Sequence, residues 1–195
     1  SDSVTTDNNG HWVRSCWIDE NRASACTWDS IIAQSPGITI NANYTVIEGL
    51  AVNSSDGDGI WINQSSHVVI DGVLINTTGT EHWGINNSGV SGAQSYNVTV
   101  NNSIIQTDGN GGNKAYGIYY NQNIEGNIEN NTVSTNGTAD NYAIALQNSD
   151  NNIVTRNTVI TYGTGGTSDS FGIYYSSSDD NIISNNVIFT DGEGT

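Results

Sequence analysis

Short apolar runs rich in Ile and Val recur along this chain from about residue 38, each ending in a polar turn and resuming two positions later. The runs are Val46-Ile47-Glu48-Gly49-Leu50-Ala51, Val69-Ile70-Asp71-Gly72-Val73-Leu74 and Thr99-Val100-Asn101-Asn102-Ser103-Ile104. They continue with Ile128-Glu129-Asn130-Asn131-Thr132-Val133, Val154-Thr155-Arg156-Asn157-Thr158-Val159 and Ile183-Ser184-Asn185-Asn186-Val187-Ile188. Aligned this way, the turn residues are Gly49, Gly72, Asn102, Asn131, Asn157 and Asn186, at spacings of 23, 30, 29, 26 and 29. Gly and Asn enter φ > 0 at the least cost, so the position reads as a sharp bend between two strands. Asn side chains stacked at such a corner also hydrogen-bond along the stack.

A second motif alternates with the first: Gly59-Ile60-Trp61-Ile62, Gly84-Ile85-Asn86-Asn87, Gly117-Ile118-Tyr119-Tyr120, Ala143-Ile144-Ala145-Leu146 and Gly172-Ile173-Tyr174-Tyr175. Side chains alternate faces along a strand. Ile60, Ile85, Ile118, Ile144 and Ile173 are therefore expected to form one inward column, with Trp61, Tyr119 and Tyr174 pointing outward. Repetition at this period predicts a solenoid whose coils bury an aliphatic interior between them. The expected fold is all-β, a right-handed parallel β-helix with three short strands per coil. Right-handed crossovers are the rule for parallel strands, and the six-residue period of left-handed helices is missing. An antiparallel sandwich gives no reason to repeat Asn at one corner. Inserts such as Thr107 to Ala115 and Gly163 to Ser170 read as lateral loops.

Two regions follow from this pattern. Residues 43–195 are the coils. Residues 1–42 carry Trp12, Trp17, Trp28 and both cysteines, and read as an N-terminal cap, with Thr27 or Asp29 placed to cap a short helix. Cys16 and Cys26 are predicted to form a disulfide if the chain is extracellular; the alternative is two small buried thiols. The chain starts at Ser1 without a signal peptide and stops soon after Ile188-Phe189. It therefore reads as a mature product or a fragment, with an apolar end that a further segment or another subunit would cover.

Through the motif Asn-x-Ile-x-x-Asn-x-Val/Ile followed by Gly-Ile-x-Tyr, residues 43–195 resemble the right-handed parallel β-helix repeats of archaeal and bacterial surface proteins. Pectate-lyase-like enzymes share that architecture. The resemblance implies a fold and an extracellular or cell-surface setting, not an activity. Lyases of this kind use Arg or Lys beside Ca²⁺-binding aspartates. Here only Arg156 lies in a repeat strand, and its stacked neighbours are Asn130 and Asn185. His11, His67 and His82 are dispersed, unlike the clustered aspartates and histidines of pectin-hydrolysing relatives.

Charge narrows the partners. The formal net charge is −16 over 195 residues, and the cations are Arg14, Arg22, Lys114 and Arg156. Such a surface repels phosphate backbones, which argues against nucleic acid, and no apolar stretch approaches a membrane span. Nine Asn-x-Ser/Thr sequons are present. Asn43, Asn53, Asn63, Asn76, Asn86, Asn101, Asn130 and Asn136 are read as glycosylation sites, whereas Asn97 aligns with Asn152 and Asn181 in an internal ladder. Asp56 and Asp58 sit in the Gly-rich sequence Asp56-Gly57-Asp58-Gly59, where carboxylates can hold calcium or simply form turns. No cofactor is required. Glu48 and Asp71 share one corner of adjacent coils, at the separation of a glycosidase acid and nucleophile, or as two solvated turn acids. The outward Trp61, Tyr119 and Tyr174 would stack on sugars or pack against a partner.

Three functions follow as expectations. The first is an extracellular structural subunit of a surface layer, sheath or filament, self-associating end to end or laterally. The second is a carbohydrate-binding or adhesive module. The third is a polysaccharide lyase or glycoside hydrolase.

Overall fold

A computed structural model of the chain describes residues 16–17, 37–55, 57–88, 93–109, 114–138, 140–163 and 169–192. Among the described residues every regular element is a strand. Each coil contributes one strand to each of three sheets, in chain order I, II, III. Sheet I stacks Ile38–Ile40, Ile60–Ile62, Trp83–Ser88, Ala115–Asn121, Asn141–Gln147 and Ser170–Ser176. Sheet II stacks Thr45–Glu48, Val69–Asp71, Thr99–Asn101, Asn127–Glu129, Ile153–Thr155 and Ile182–Ser184, with Cys16–Trp17 added antiparallel to Thr45–Glu48. Sheet III stacks Ala51–Ser54, Leu74–Thr78, Ile104–Asp108, Thr132–Gly137, Thr158–Gly163 and Val187–Gly192. All neighbours other than Cys16–Trp17 run parallel, so the chain is a parallel β-solenoid.

The interior is built from three aliphatic columns. On sheet I, Ile38, Ile60, Ile85, Ile118, Ile144 and Ile173 stand in register. On sheet II the column is Ile47, Ile70, Val100, Ile128, Val154 and Ile183. On sheet III it is Val52, Ile75, Ile105, Val133, Val159 and Ile188. Each fully buried Ile contributes about 1.5–3 kcal/mol. In the last coil, Ile183 and Ile188 are 40% and 47% exposed, whereas Val154 and Val159 beneath them are fully buried.

The glycine of the Gly-Ile motif has a packing cause. A Cβ on Gly59, Gly84, Gly117 or Gly172 would stand 2.4, 2.2, 2.1 or 2.3 Å from a methyl of Ile75, Ile105, Val133 or Ile188. Sheets I and III meet closely there, and the only side chain found at this position is the methyl of Ala143.

At two corners of each coil the chain uses a left-handed residue followed by an inward one. Between sheets II and III the left-handed residues are Gly49, Gly72, Asn102, Asn130, Arg156 and Asn185. This corrects the alignment by one position in the last three coils: Asn131, Asn157 and Asn186 are not the bend. They are the inward residues after it, in the place held by Leu50, Val73 and Ser103 in earlier coils. The Asn130-Asn131 and Asn185-Asn186 doublets conceal the difference, and at Arg156 the register of the strands forces left-handed geometry on a residue that does not prefer it. A second corner, between sheets I and II, uses Tyr44, His67, Asn97, Glu125, Asn151 and Asp180. The same shift moves Asn97 to the bend, while Asn152 and Asn181 lie one place further on in the inward ladder.

Candidate functional site

Inward amides bind the coils together. Oδ1 of Asn131, Asn157 and Asn186 accepts the backbone N–H of Ser103, Asn131 and Asn157, each at 2.9 Å. The Nδ2 groups of the same three residues donate to the backbone carbonyls of Val100, Ile128 and Val154, at 2.8, 2.9 and 2.9 Å. At the second corner, Gly126 N–H donates to Asn152 Oδ1 and Asn152 N–H to Asn181 Oδ1, both at 2.8 Å. A serine ladder serves the third corner: Asn123 N–H donates to Ser149 Oγ and Ser149 N–H to Ser178 Oγ, at 3.1 and 2.9 Å. Buried polar groups demand partners, and these ladders supply them from the neighbouring coil.

On the outside of sheet I lies an aromatic stack. Trp83, Tyr116, Tyr142 and Phe171 occupy equivalent places in four successive strands. Ring centroids are 5.8 Å apart for Trp83–Tyr116, 4.8 Å for Tyr116–Tyr142 and 5.5 Å for Tyr142–Phe171. Tyr119 leans on Trp83 and Tyr116, and Tyr174 on Tyr142 and Phe171. The expected outward column of Trp61, Tyr119 and Tyr174 exists, but Asn86 and Ala145 interrupt it. The continuous stack is three residues earlier, and the outward alternation of Gly-Ile-x-Tyr did not reveal it. The one signal for it was an aromatic directly before the motif glycine in Trp83-Gly84, Tyr116-Gly117 and Phe171-Gly172. Many ring faces are turned towards neighbouring rings, with interplanar angles of 13° and 7° for the first two pairs. The stack therefore offers mainly ring edges to a ligand. Burial raises the Tyr116, Tyr119 and Tyr142 hydroxyls above the usual phenol range, with Tyr142 pushed up to about 12; the Asp140 carboxylate adds to the rise at Tyr116 and Tyr142.

Asp58 anchors the foot of this stack. Its Oδ1 accepts Trp83 N–H at 2.9 Å and its Oδ2 accepts Asn86 Nδ2 at 2.7 Å. Desolvation raises its pKa, opposed by these two hydrogen bonds and by His82 nearby. Both oxygens thus face hydrogen-bond donors, the setting of a structural clamp. Asp56 lies outside the described residues, as do Cys26, Thr27, Asp29 and hence the predicted disulfide and cap helix. Among the described residues no group of three or more His, Cys, Asp or Glu is placed to hold a metal ion.

Glu48 and Asp71 are brought together, directly paired across adjacent strands of sheet II. Asp71 Oδ1 accepts Asn102 Nδ2 at 2.6 Å, and the column continues through Asn101 and Glu129. Both acids thus belong to a polar column along the corner. Arg156 pairs with Glu129, a carboxylate contact that its strand neighbours alone did not suggest. His67 stacks on Tyr44, with ring centroids 4.6 Å apart.

The sequons separate by exposure. Asn43, Asn53, Asn130 and Asn136 are exposed, and Asn63, Asn76 and Asn101 half-buried. Asn86 is 4% exposed, and its Nδ2, the atom that would carry a glycan, is engaged by Asp58. In this fold Asn86 serves the Asp58 clamp.

Comparison with protein-family models, curated proteins and solved structures gave no match. The geometry therefore carries the functional argument alone. Among the described residues no helix is long and apolar enough to cross a membrane.

Proposed function

We propose that the chain is a structural solenoid of an extracellular assembly: a subunit of a surface layer, sheath or filament of the kind its repeats resemble. The observation that carries this reading is the use made of the polar corner residues. Asn131, Asn157, Asn152 and Ser149, each buried, bond coil to coil along the axis and do not converge on a reaction centre. A fold whose polar chemistry is spent on axial cohesion suits a rod that bears load.

Self-association, lateral or end to end, is part of the proposal. Exposed apolar side chains on two outer faces support it, including Leu74 and Ile104 on sheet III and Ile153 and Ile182 on sheet II. Glycans on the exposed sequons and calcium between acidic loops would modulate contact between rods of like charge.

Sedimentation of the purified chain over a range of ionic strength and calcium concentration tests this. The proposal expects concentration-dependent growth beyond the monomer, promoted by salt or calcium as charge is screened. A monomer under every condition would refute it.

A further inference from the structure

Beside the aliphatic column of sheet III runs a second inward column of a different kind. Ser54, Thr77, Thr107, Thr135, Thr161 and Thr190 stand in register, one per coil. Thr77, Thr107, Thr135 and Thr161 are buried, at 3% exposure or less. The hydroxyl of every one of these four lacks a hydrogen-bond partner in the protein. Orphaned buried polar atoms are uncommon singly; four in consecutive coils at one position form a pattern.

Their orientation is set by the opposite wall. The Thr77 and Thr107 methyls lie 3.2 and 3.4 Å from where a Cβ on Gly59 or Gly84 would stand. At Thr77 and Thr107 the methyl thus faces the glycine row, and the hydroxyl is turned away from it. Neighbouring strands are about 4.8 Å apart, too far for one hydroxyl to reach the next at the usual ~2.8 Å. The same separation suits a single bridging molecule with two bent legs of about 2.8 Å.

We propose that these threonines form an internal binding site for a file of ordered water molecules, one between each pair of successive hydroxyls. A water supplies donors and acceptors to both neighbours, and polar buried sites of this kind are the ones that retain water. At its lower end the file is closed by Ser54, whose hydroxyl donates to the Gly57 carbonyl at 2.9 Å. Thr190 continues the column in the last described coil, where it is exposed.

Thr135→Val and Thr107→Val keep side-chain shape and delete the hydroxyl. If waters bridge the column, each variant strands two of them, and Tm falls by about 2–4 °C, the shift typical of a modest loss in a chain of this size. Thr190→Val, at an exposed hydroxyl, leaves Tm unchanged. A high-resolution crystal structure of the full chain then shows water between successive threonines. A rise in Tm for both buried variants, with no density between the hydroxyls, would overturn the proposal, because it would show a dry column relieved of unpaired groups.

Discussion

The backbone N–H of Asn131 donates to Oδ1 of Asn157, one coil further along, at 2.9 Å. Asn157 Nδ2 reaches the carbonyl of Ile128, so one amide serves two neighbouring segments. Asn157→Leu, with an apolar side chain of similar size, leaves the Asn131 N–H buried without a partner and removes the amide's bond to the Ile128 carbonyl. The expected loss is about 1–3 kcal/mol, the cost of one orphaned buried group. Chemical denaturation of the variant measures it.

Left-handed backbone at residues other than Gly is a reservoir of strain. Glu125 has φ 58° and is exposed, with its N–H bonded to the Asp150 carbonyl. Glu125→Gly removes the Cβ clash of that conformation, which outweighs the added chain entropy of glycine by about 0.5–1 kcal/mol. Glu125→Val moves stability the other way. A pair of thermal melts separates the two directions.

Gly117 has no such freedom. A Cβ there would lie 2.1 Å from Val133 Cγ1 and 2.6 Å from the Ala143 carbonyl oxygen. Gly117→Ala costs about 1–3 kcal/mol through overpacking. Val133→Ala in the same chain recovers only part of the loss, since the backbone oxygen remains. A double-mutant cycle reads the recovered fraction.

Acid should stabilise the fold through Asp58, by relieving the desolvation of its carboxylate. Burial raises the folded-state pKa of Asp58 above the ordinary 3.8. Its contribution to stability is therefore fully present below the unfolded value and is lost as pH rises through the folded one. Asp58→Asn removes that dependence. It is also tolerated, because Asn86 Oδ1 has no partner and can accept from the new amide after a flip. Urea unfolding of both proteins from pH 3.5 to pH 7 should show a steeper decline with pH for the native chain than for the variant.

Much of the fold was legible from particular residues. Ile60, Ile85, Ile118, Ile144 and Ile173 share one inward column as their alternation required, and Glu48 faces Asp71 as the turn spacing required. Two features were not legible. At Asn130-Asn131 and Asn185-Asn186 the bend and the buried ladder are occupied by the same residue type, so identity alone could not say which Asn had φ > 0. The stack of Trp83, Tyr116, Tyr142 and Phe171 depends on inter-coil register at the strand starts, which loops of unequal length obscure. For the site, exposure decided what motifs could not: Asn86 carries a sequon yet points its amide at Asp58.

Electron microscopy of the native material, with and without a chelator, tests the proposed structural role most directly. The account predicts ordered filaments or sheets of laterally or axially packed rods, loosened when divalent cations are removed. Dispersed single solenoids in both preparations would contradict it.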